Sequence, residues 1–545
     1  MKWRWKRHWK IIIGTVFALL ALAAACIKTP NFVAMHRVNV YKKSLIAQGE
    51  KLDIAALLPP AVPPEQNGAE IVNKAAALFI PKEGNNDPNL WLQAVLAIAP
   101  GKVLIRFEQP SIREMYATNF WPDIMASVES NRPATEILRQ VINYPALDFQ
   151  LDYFSDMKVE SSGLSEPMST NAYCVSRLFN EAIYDLHEGD ISSAATNICA
   201  ILALVNGTQN ECLPGTQWER MGMASTAMQV NWELLQSTNT HEPELAMLQK
   251  AWERLEYLQP IEKTFLIERA RGESTLEKMR RSNQNLGYIF PPPDPIRLSD
   301  AADLSHELFN SVSGVWENSD FFGGLKEEAD NCWQNTVYIF GRARWRASWT
   351  YSDELQMLEN YQLILKTIQA IRAQGYFHPA YSNMVSHLQP VTAHIGDDEM
   401  LELFQYDFQN FLSHESEGMG LGLLRQTMTA EVTQKMTVTA IALKRYQLKH
   451  GAYPPDLNAL VPEFVPAVPL DPMDGQPLRY RPNSDGTFTL YSIGYNGKDD
   501  GGNPALNTPI EDSNYYWLNP HALDWVWPQP ATPEEIQKYY PHPPR

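Results

Sequence analysis

The chain has 545 residues and a net charge of −18, with 45 Lys and Arg against 63 Asp and Glu, so its acidic body would repel phosphate backbones and nucleic acid is excluded as the main partner. A hydrophobic content of 44% excludes wholesale disorder, and the length favours more than one domain. Five cysteines exclude a disulfide scaffold.

The first ten residues carry Lys2, Arg4, Lys6, Arg7 and Lys10 together with Trp3, Trp5 and Trp9, and no acid. Ile11 to Ile27 then contains no charge. As a helix this run reaches about 26 Å, close to the ~30 Å hydrocarbon core of a bilayer. A cationic cluster directly before an apolar run predicts a membrane segment over residues 1–27. It reads either as a single span with its tryptophans at the interface or as the h-region of an export signal. Lys28, Arg37, Lys42 and Lys43 follow the run, but the denser cluster precedes it. That asymmetry places the N-terminus in the cytoplasm and the body outside it.

Leu22-Ala23-Ala24-Ala25-Cys26 resembles the lipobox of bacterial lipoproteins, which implies Cys26 as a lipidation site. The same Ala-x-Ala also suits ordinary signal peptidase. An uncleaved anchor, a lipoprotein and a released protein are therefore all open, and each leaves the body outside the cytoplasm. The expected location is the bacterial inner membrane, single-pass, with the lipoprotein as the alternative.

Pro59-Pro60 and Pro63-Pro64 predict a stalk over 28–67. From 68 to 426 the pattern predicts a helical extracytoplasmic domain. Its clearest unit is a hairpin, with Val175, Leu178, Phe179, Ala182, Ile183 and Leu186 at three-four spacing. Gly189 and Asp190 suit a helix stop and a fresh N-cap, after which Ala194, Ala195, Ile198, Ile201, Leu202 and Val205 resume the stripe. No 34-residue signature repeats, so the fold class is mainly α, an irregular helical bundle or solenoid. Phe290-Pro291-Pro292-Pro293-Asp294-Pro295 marks a loop or hinge that could subdivide it. Further helices run from Leu355 to near Gly375 and from about Thr429 to Lys449, the second stopped by Gly451. Leu478–Arg481 and Thr487–Tyr491, joined by Asn483-Ser484-Asp485-Gly486, predict a hairpin in a small α+β module over 427–520. Residues 521–545, rich in Pro and Trp, predict a tail that packs as an irregular strap or frays.

An ordered set of short elements spans this module. A helix ends in Ala442-Leu443-Lys444-Arg445-Tyr446 and is followed by Gly451-Ala452-Tyr453-Pro454. Then come Val468-Pro469-Leu470-Asp471-Pro472, Gly475-Gln476-Pro477-Leu478-Arg479-Tyr480 and Leu490-Tyr491-Ser492-Ile493-Gly494-Tyr495-Asn496-Gly497, and last Asp500-Gly501-Gly502. From about Val432 to Gly502 the chain resembles the C-terminal half of type II secretion system protein G, the major pseudopilin. The resemblance implies an α+β fold with a short antiparallel sheet and a loop that holds calcium, while the residues by themselves read equally as a Gly/Asp turn cluster without an ion. Asn496, Asp499, Asp500 and Asp512 are the calcium ligands it implies here, with Asn496 standing where the family has Asp. Gly494, Gly497, Gly501 and Gly502 are expected to supply positive φ in that loop. A pseudopilin carries its anchor directly before this module, whereas some 400 residues intervene here. The module is therefore expected to serve as a terminal interaction or capping domain.

No His-Glu-x-x-His, Gly-x-Ser-x-Gly, Walker or dinucleotide-binding glycine signature occurs, and no catalytic residue is assigned. His387 and His394 stand two helical turns apart near Asp397-Asp398-Glu399, but Pro390 between them interrupts a shared face, so the acids read as a solvated helix start in preference to a metal site. Cys174 and Cys199 sit on apolar helices as buried thiols, Cys212 is the best candidate for a bridge, and Cys332 completes the set. Glu317 and Asp320 are acids in an aromatic stretch. The expectation is a membrane-anchored structural or interaction protein of the cell envelope, held by residues 11–27 and engaging protein partners. The alternatives are an envelope hydrolase with an acidic, aromatic cleft in the helical domain, and an accessory component of a secretion or pilus-like apparatus.

Overall fold

The computed structural model describes residues 15, 29, 31–79, 97–109, 121–154, 165–282, 345–388, 411–505 and 522–539. Residues 31–47 form a helix, α1, which buries Val38 and Leu45 against the body. Between them Lys42 reaches Glu273 at 3.4 Å and also pairs with Glu354. Just beyond α1, Glu50 accepts from the buried Arg269 at 2.8 Å. Much of the stretch that its prolines mark as a stalk is thus fixed to the body. The seven-residue spacing of Val38 and Leu45 gives α1 a core face, and the proline pairs only shape the loop after it.

After α2 (Ile54–Leu57) and α3 (Ala69–Leu78), strands β1 (Ala97–Ala99) and β2 (Lys102–Val103) lead to α4 (Trp121–Leu138). Then comes the hairpin of α5 (Ser165–Glu188) and α6 (Ile191–Gly207). Its turn follows the residues: Gly189 takes φ +82°, and the Asp190 carboxylate caps α6 by accepting from the Ser193 amide at 3.0 Å. Helices α7 (Pro214–Gln236), α8 (Glu242–Trp252) and α9 (Leu258–Arg281) follow, and α7 and α8 pack on α6. By length and composition one helix among the described residues, Ile191–Asn210, could cross a membrane, and 72% of it is buried inside the body.

Arg220 on α7 is fully buried where these helices meet. Its Nε donates to the Val205 carbonyl near the end of α6 at 2.6 Å, and its Nη2 donates to the Glu256 carbonyl at 2.6 Å. Its guanidinium lies 4.9 Å from the centre of the Tyr257 ring. Desolvation lowers its pKa, opposed by Tyr257, Glu256 and Glu431.

Helices α10 (Thr350–Gln374) and α11 (Ala380–Leu388) precede α12 (Phe411–His450). At 40 residues α12 is about 60 Å long and runs unbroken across residue 427. It packs on α7, α8, α9 and α10 and, further along, on the C-terminal sheet. That sheet is antiparallel, β3 (Arg479–Pro482) beside β4 (Phe488–Ile493) beside β5 (Asp524–Val526). Tyr453, extended by Pro454, sets its ring edge-on to Phe488 at 4.9 Å.

The tail is more ordered than an irregular strap. Trp525 is fully buried within β5, β6 (Gln529–Pro530) pairs parallel to β2, and Pro533–Tyr539 forms α13. The Trp232 indole on α7 donates to the Pro528 carbonyl at 3.0 Å. A single hydrophobic core therefore runs from Val38 to Trp527. The fold is mainly α, with two small three-stranded sheets among the described residues.

Replacing Arg220 by Leu removes its hydrogen bonds to the buried Val205 carbonyl and to the part-buried Glu256 carbonyl, at about 1–3 kcal/mol each. Arg220→Leu should lower unfolding free energy by about 2–6 kcal/mol in urea denaturation. An unchanged midpoint would show that water reaches both carbonyls.

Candidate functional site

The acidic residues of the C-terminal module are organised by one carboxylate and one guanidinium. Asp471, fully buried, accepts from the Met473 amide at 2.9 Å, the Ser492 hydroxyl at 2.6 Å and the Ile493 amide at 3.1 Å. Arg479 at the start of β3 donates to Asp471 at 2.7 Å, to Asp474 at 2.7 Å and to Asp499 at 3.3 Å. Burial works against the Asp474 charge, but the Arg479 and Gln476 hydrogen bonds outweigh it and hold the carboxyl below its usual range.

The glycine-rich loop after β4 closes on Asp524, which the sequence pattern left inside the strap. One Asp524 oxygen accepts from the Asp500 amide at 3.3 Å; the other accepts from the Gly502 amide at 2.8 Å and the Asn503 amide at 3.1 Å. Gly497, Gly501 and Gly502 take φ of +67°, +77° and +79°. Gly494 does not share that role. A Cβ there would lie 2.4 Å from the Leu523 carbonyl oxygen, so its glycine is required by close approach of the backbone before β5.

The residues implied as calcium ligands separate as follows. Asn496 donates to Asp500 at 2.8 Å and accepts from the Lys498 amide at 2.9 Å. Asp499 accepts from the Tyr491 hydroxyl at 3.0 Å, the Gly501 amide at 3.0 Å and Arg479. Asp500 belongs to the same loop, and Asp512 lies outside the described residues. Calcium needs six to eight converging oxygens, but N–H and O–H donors already engage these carboxylates. Among the described residues no group of three His, Cys, Asp or Glu could hold a metal ion. As arranged, Asn496, Asp499 and Asp500 are engaged with donors of the protein itself.

The helical body holds a second set of acids that sequence reasoning missed. Burial pushes Glu233 on α7 up to about 8, although both its oxygens accept from the Arg106 amide, at 3.1 and 3.3 Å. Burial likewise raises Glu211 to about 8 while it accepts from the Phe149 amide at 2.9 Å. Glu219 also rises to about 8, through burial first and then the Glu211 charge. On α12 Glu431 reaches about 7 through burial and Glu256, and on α5 Asp185 reaches about 7 through burial and Glu181. The available signal was a carboxylate set into an apolar run, as in Trp232-Glu233-Leu234-Leu235 and Ala430-Glu431-Val432.

Cys212 is a buried free thiol, as are Cys174 and Cys199, which corrects the expectation of a bridge at Cys212. Burial raises the thiols to about 11 for Cys212 and about 12 for the other two, far from a reactive thiolate. His387 is exposed on α11 with its Nδ1 2.7 Å from the Asn383 carbonyl. Cys26, Phe290–Pro295, Glu317, Asp320, Cys332, His394 and Asp397–Glu399 lie outside the described residues.

Comparison with protein-family models, with curated proteins and with solved structures finds no match.

Removing the Asp524 carboxylate leaves three loop amides without their acceptor. Asp524→Ala should destabilise the protein by about 1–3 kcal/mol per amide left buried and unpaired, and proteolysis should then cut within 494–503. An uncut loop would mean that Asp524 does not close it.

A second expectation concerns pH. Carboxyls raised in the folded state hold protons that the unfolded chain releases near pH 4.3, so stability falls as pH rises through the interval up to about 8 and then levels. The melting temperature should therefore drop between pH 5 and 8, and the double change Glu211→Gln with Glu219→Gln should flatten that slope. A slope unchanged in the double variant would assign these two carboxyls ordinary values.

Proposed function

We propose that this is a membrane-anchored structural and interaction protein of the bacterial cell envelope. Residues 11–27 hold it in the inner membrane with its body outside the cytoplasm, and the C-terminal pseudopilin-like module serves as a built-in interaction or capping element. The observation that carries the reading is the attachment of that module. Helix α12 belongs to both parts, Gln249 of α8 donates to the Phe464 carbonyl at 2.8 Å, and β6 ties the tail to β2. A module fixed along its length suits a rigid platform for protein partners better than a subunit that must join a filament. Calcium enters this reading only through Asp512, whose carboxylate would have to draw Asp499 away from Arg479.

A second reading, an envelope hydrolase, draws support from one observation. Burial raises both Glu211, three residues before α7, and Glu219, inside its first turns, and a carboxyl held protonated near neutrality is the form a general acid requires. The platform is the primary reading because no base or nucleophile accompanies the pair among the residues described above.

The experiment is fractionation of the full chain expressed in a bacterium, with alkaline carbonate extraction and external protease. The chain should stay in the membrane pellet and its body should be digested only once the outer membrane is opened. Cys26→Ser should leave this unchanged for a helical anchor and release or mislocalise the protein if Cys26 is lipidated. Exchange of calcium for EDTA should leave the melting curve in place. A rise with calcium that Asp512→Ala abolishes would return the ion to the loop. A chain recovered wholly in the cytosol would overturn the proposal.

A further inference from the structure

The face of α1 turned away from the body is chemically unlike the rest of the protein. Val38 and Leu45 point inward, and the remaining half of the helix exposes Phe32 (68%), Val33 (53%) and Val40 (54%), with Ile46 (59%) at its edge. His36, Arg37 and Lys43 are exposed on the same half. Lys42 is spent inward on Glu273 and Glu354, whereas Arg37 and Lys43 enter no ion pair among the described residues. No acid lies on this helix: in a chain of net charge −18 the first acidic residue is Glu50. Four large apolar side chains interleaved with cations make a surface whose apolar part water solvates poorly and whose charge suits an anionic partner.

Three observations together identify what this surface fits. Charge complementarity calls for an anionic partner, and the interleaved Phe and Val call for one with an apolar interior behind its charge. The chain preceding the helix supplies proximity. Ile27, the last residue of the apolar run, is five residues before Phe32, a reach of at most about 17 Å even fully extended. With that run in the membrane, the first turn of α1 lies within about 17 Å of the hydrocarbon, two to three headgroup layers at most. A second copy of the chain is disfavoured, because two such faces would bring Arg37 and Lys43 against their own kind.

We propose that the outer face of α1 docks on the anionic lipid surface from which the chain emerges. Phe32, Val33, Val40 and Ile46 enter the headgroup boundary, and Arg37 and Lys43 pair with lipid phosphates. The inward face of α1 is clamped to α9 and α10 by Lys42, and Arg269 of α9 holds Glu50 just beyond it, so docking this helix orients the whole body against the membrane. The inference rests on the anchored reading, and the test separates the two.

The full chain is reconstituted in nanodiscs of phosphatidylcholine with and without phosphatidylglycerol. A bimane fluorophore is placed on Val40→Cys or, as a distant exposed control, on Leu448→Cys, and the signal of the labelled parent chain is subtracted. Brominated lipid chains should quench the label at Val40→Cys to about half its emission and leave that at Leu448→Cys unchanged. Quenching should be stronger with phosphatidylglycerol, and the pair Arg37→Gln and Lys43→Gln should remove that dependence.

A chain that co-elutes with the nanodisc but shows no quenching at Val40→Cys overturns the docking and leaves the anchor standing. Oxidation of Val40→Cys to a cross-linked dimer overturns it in favour of a second copy. Quenching indifferent to phosphatidylglycerol overturns the role of Arg37 and Lys43. A chain that fails to enter nanodiscs overturns anchor and docking together.

Discussion

The helical body depends on how it satisfies the end of its most apolar helix. Burying α6 on nearly every side gains hydrophobic energy, but it also takes the Val205 carbonyl of its last turn away from water, whereas the Leu204 and Asn206 carbonyls accept from the Thr208 amide and the Gly207 carbonyl from the Leu147 amide. Arg220 answers that constraint by inserting a guanidinium between the Val205 carbonyl and the Glu256 carbonyl. The same side chain lies over Tyr257 and faces Glu431 of α12, so one buried cation registers α6, α7, the α8–α9 turn and the long helix. Packing that would be permissive with purely apolar contacts is thereby given one arrangement.

A second consequence follows along α12. Because Glu431 and Gln434 meet the body, the latter donating to the Trp252 and Leu255 carbonyls at 2.7 and 2.9 Å, the helix is held before it reaches the C-terminal sheet. The sheet is then placed by the helix and closed from behind by a tail that returns to β2. Trp525 fills the sheet and the Pro528 carbonyl receives Trp232. The C-terminal module is therefore tied to the helices at several points, and its acidic loop is bridged by protein donors. Asp524 collects three amides and Arg479 joins three carboxylates, an arrangement that gives the loop a fixed form from within the chain.

Local chemistry is where the residues spoke most plainly. The Gly189-Asp190 turn, the stops at Gly375 and Gly451 and the Asn483–Gly486 hairpin follow from backbone preference and capping, which act over a few neighbours. The mainly α fold and the small antiparallel sheet were legible for the same reason. The site was less so. Asp499 and Asp500 were visible as loop acids, but their partners Arg479 and Asp524 lie 20 or more residues away, and no local pattern pairs them. The role of Gly494 was misread because a close approach to Leu523 leaves no trace in the residues beside it.

The amino-acid sequence by itself determined the helices, their stops, the C-terminal hairpin, and an acid-free cationic and apolar N-terminal segment ahead of an acidic body. These are properties of neighbours along the chain, where periodicity and charge can be read directly. Only the tertiary structure decided that α1 is part of the body, that Trp525 completes a sheet, that Cys212 is a buried thiol and that Glu211, Glu219, Glu233 and Glu431 are carboxyls held near neutrality. Burial is a property of what packs from elsewhere, and it is burial that sets the charge state of an acid and the fate of a thiol.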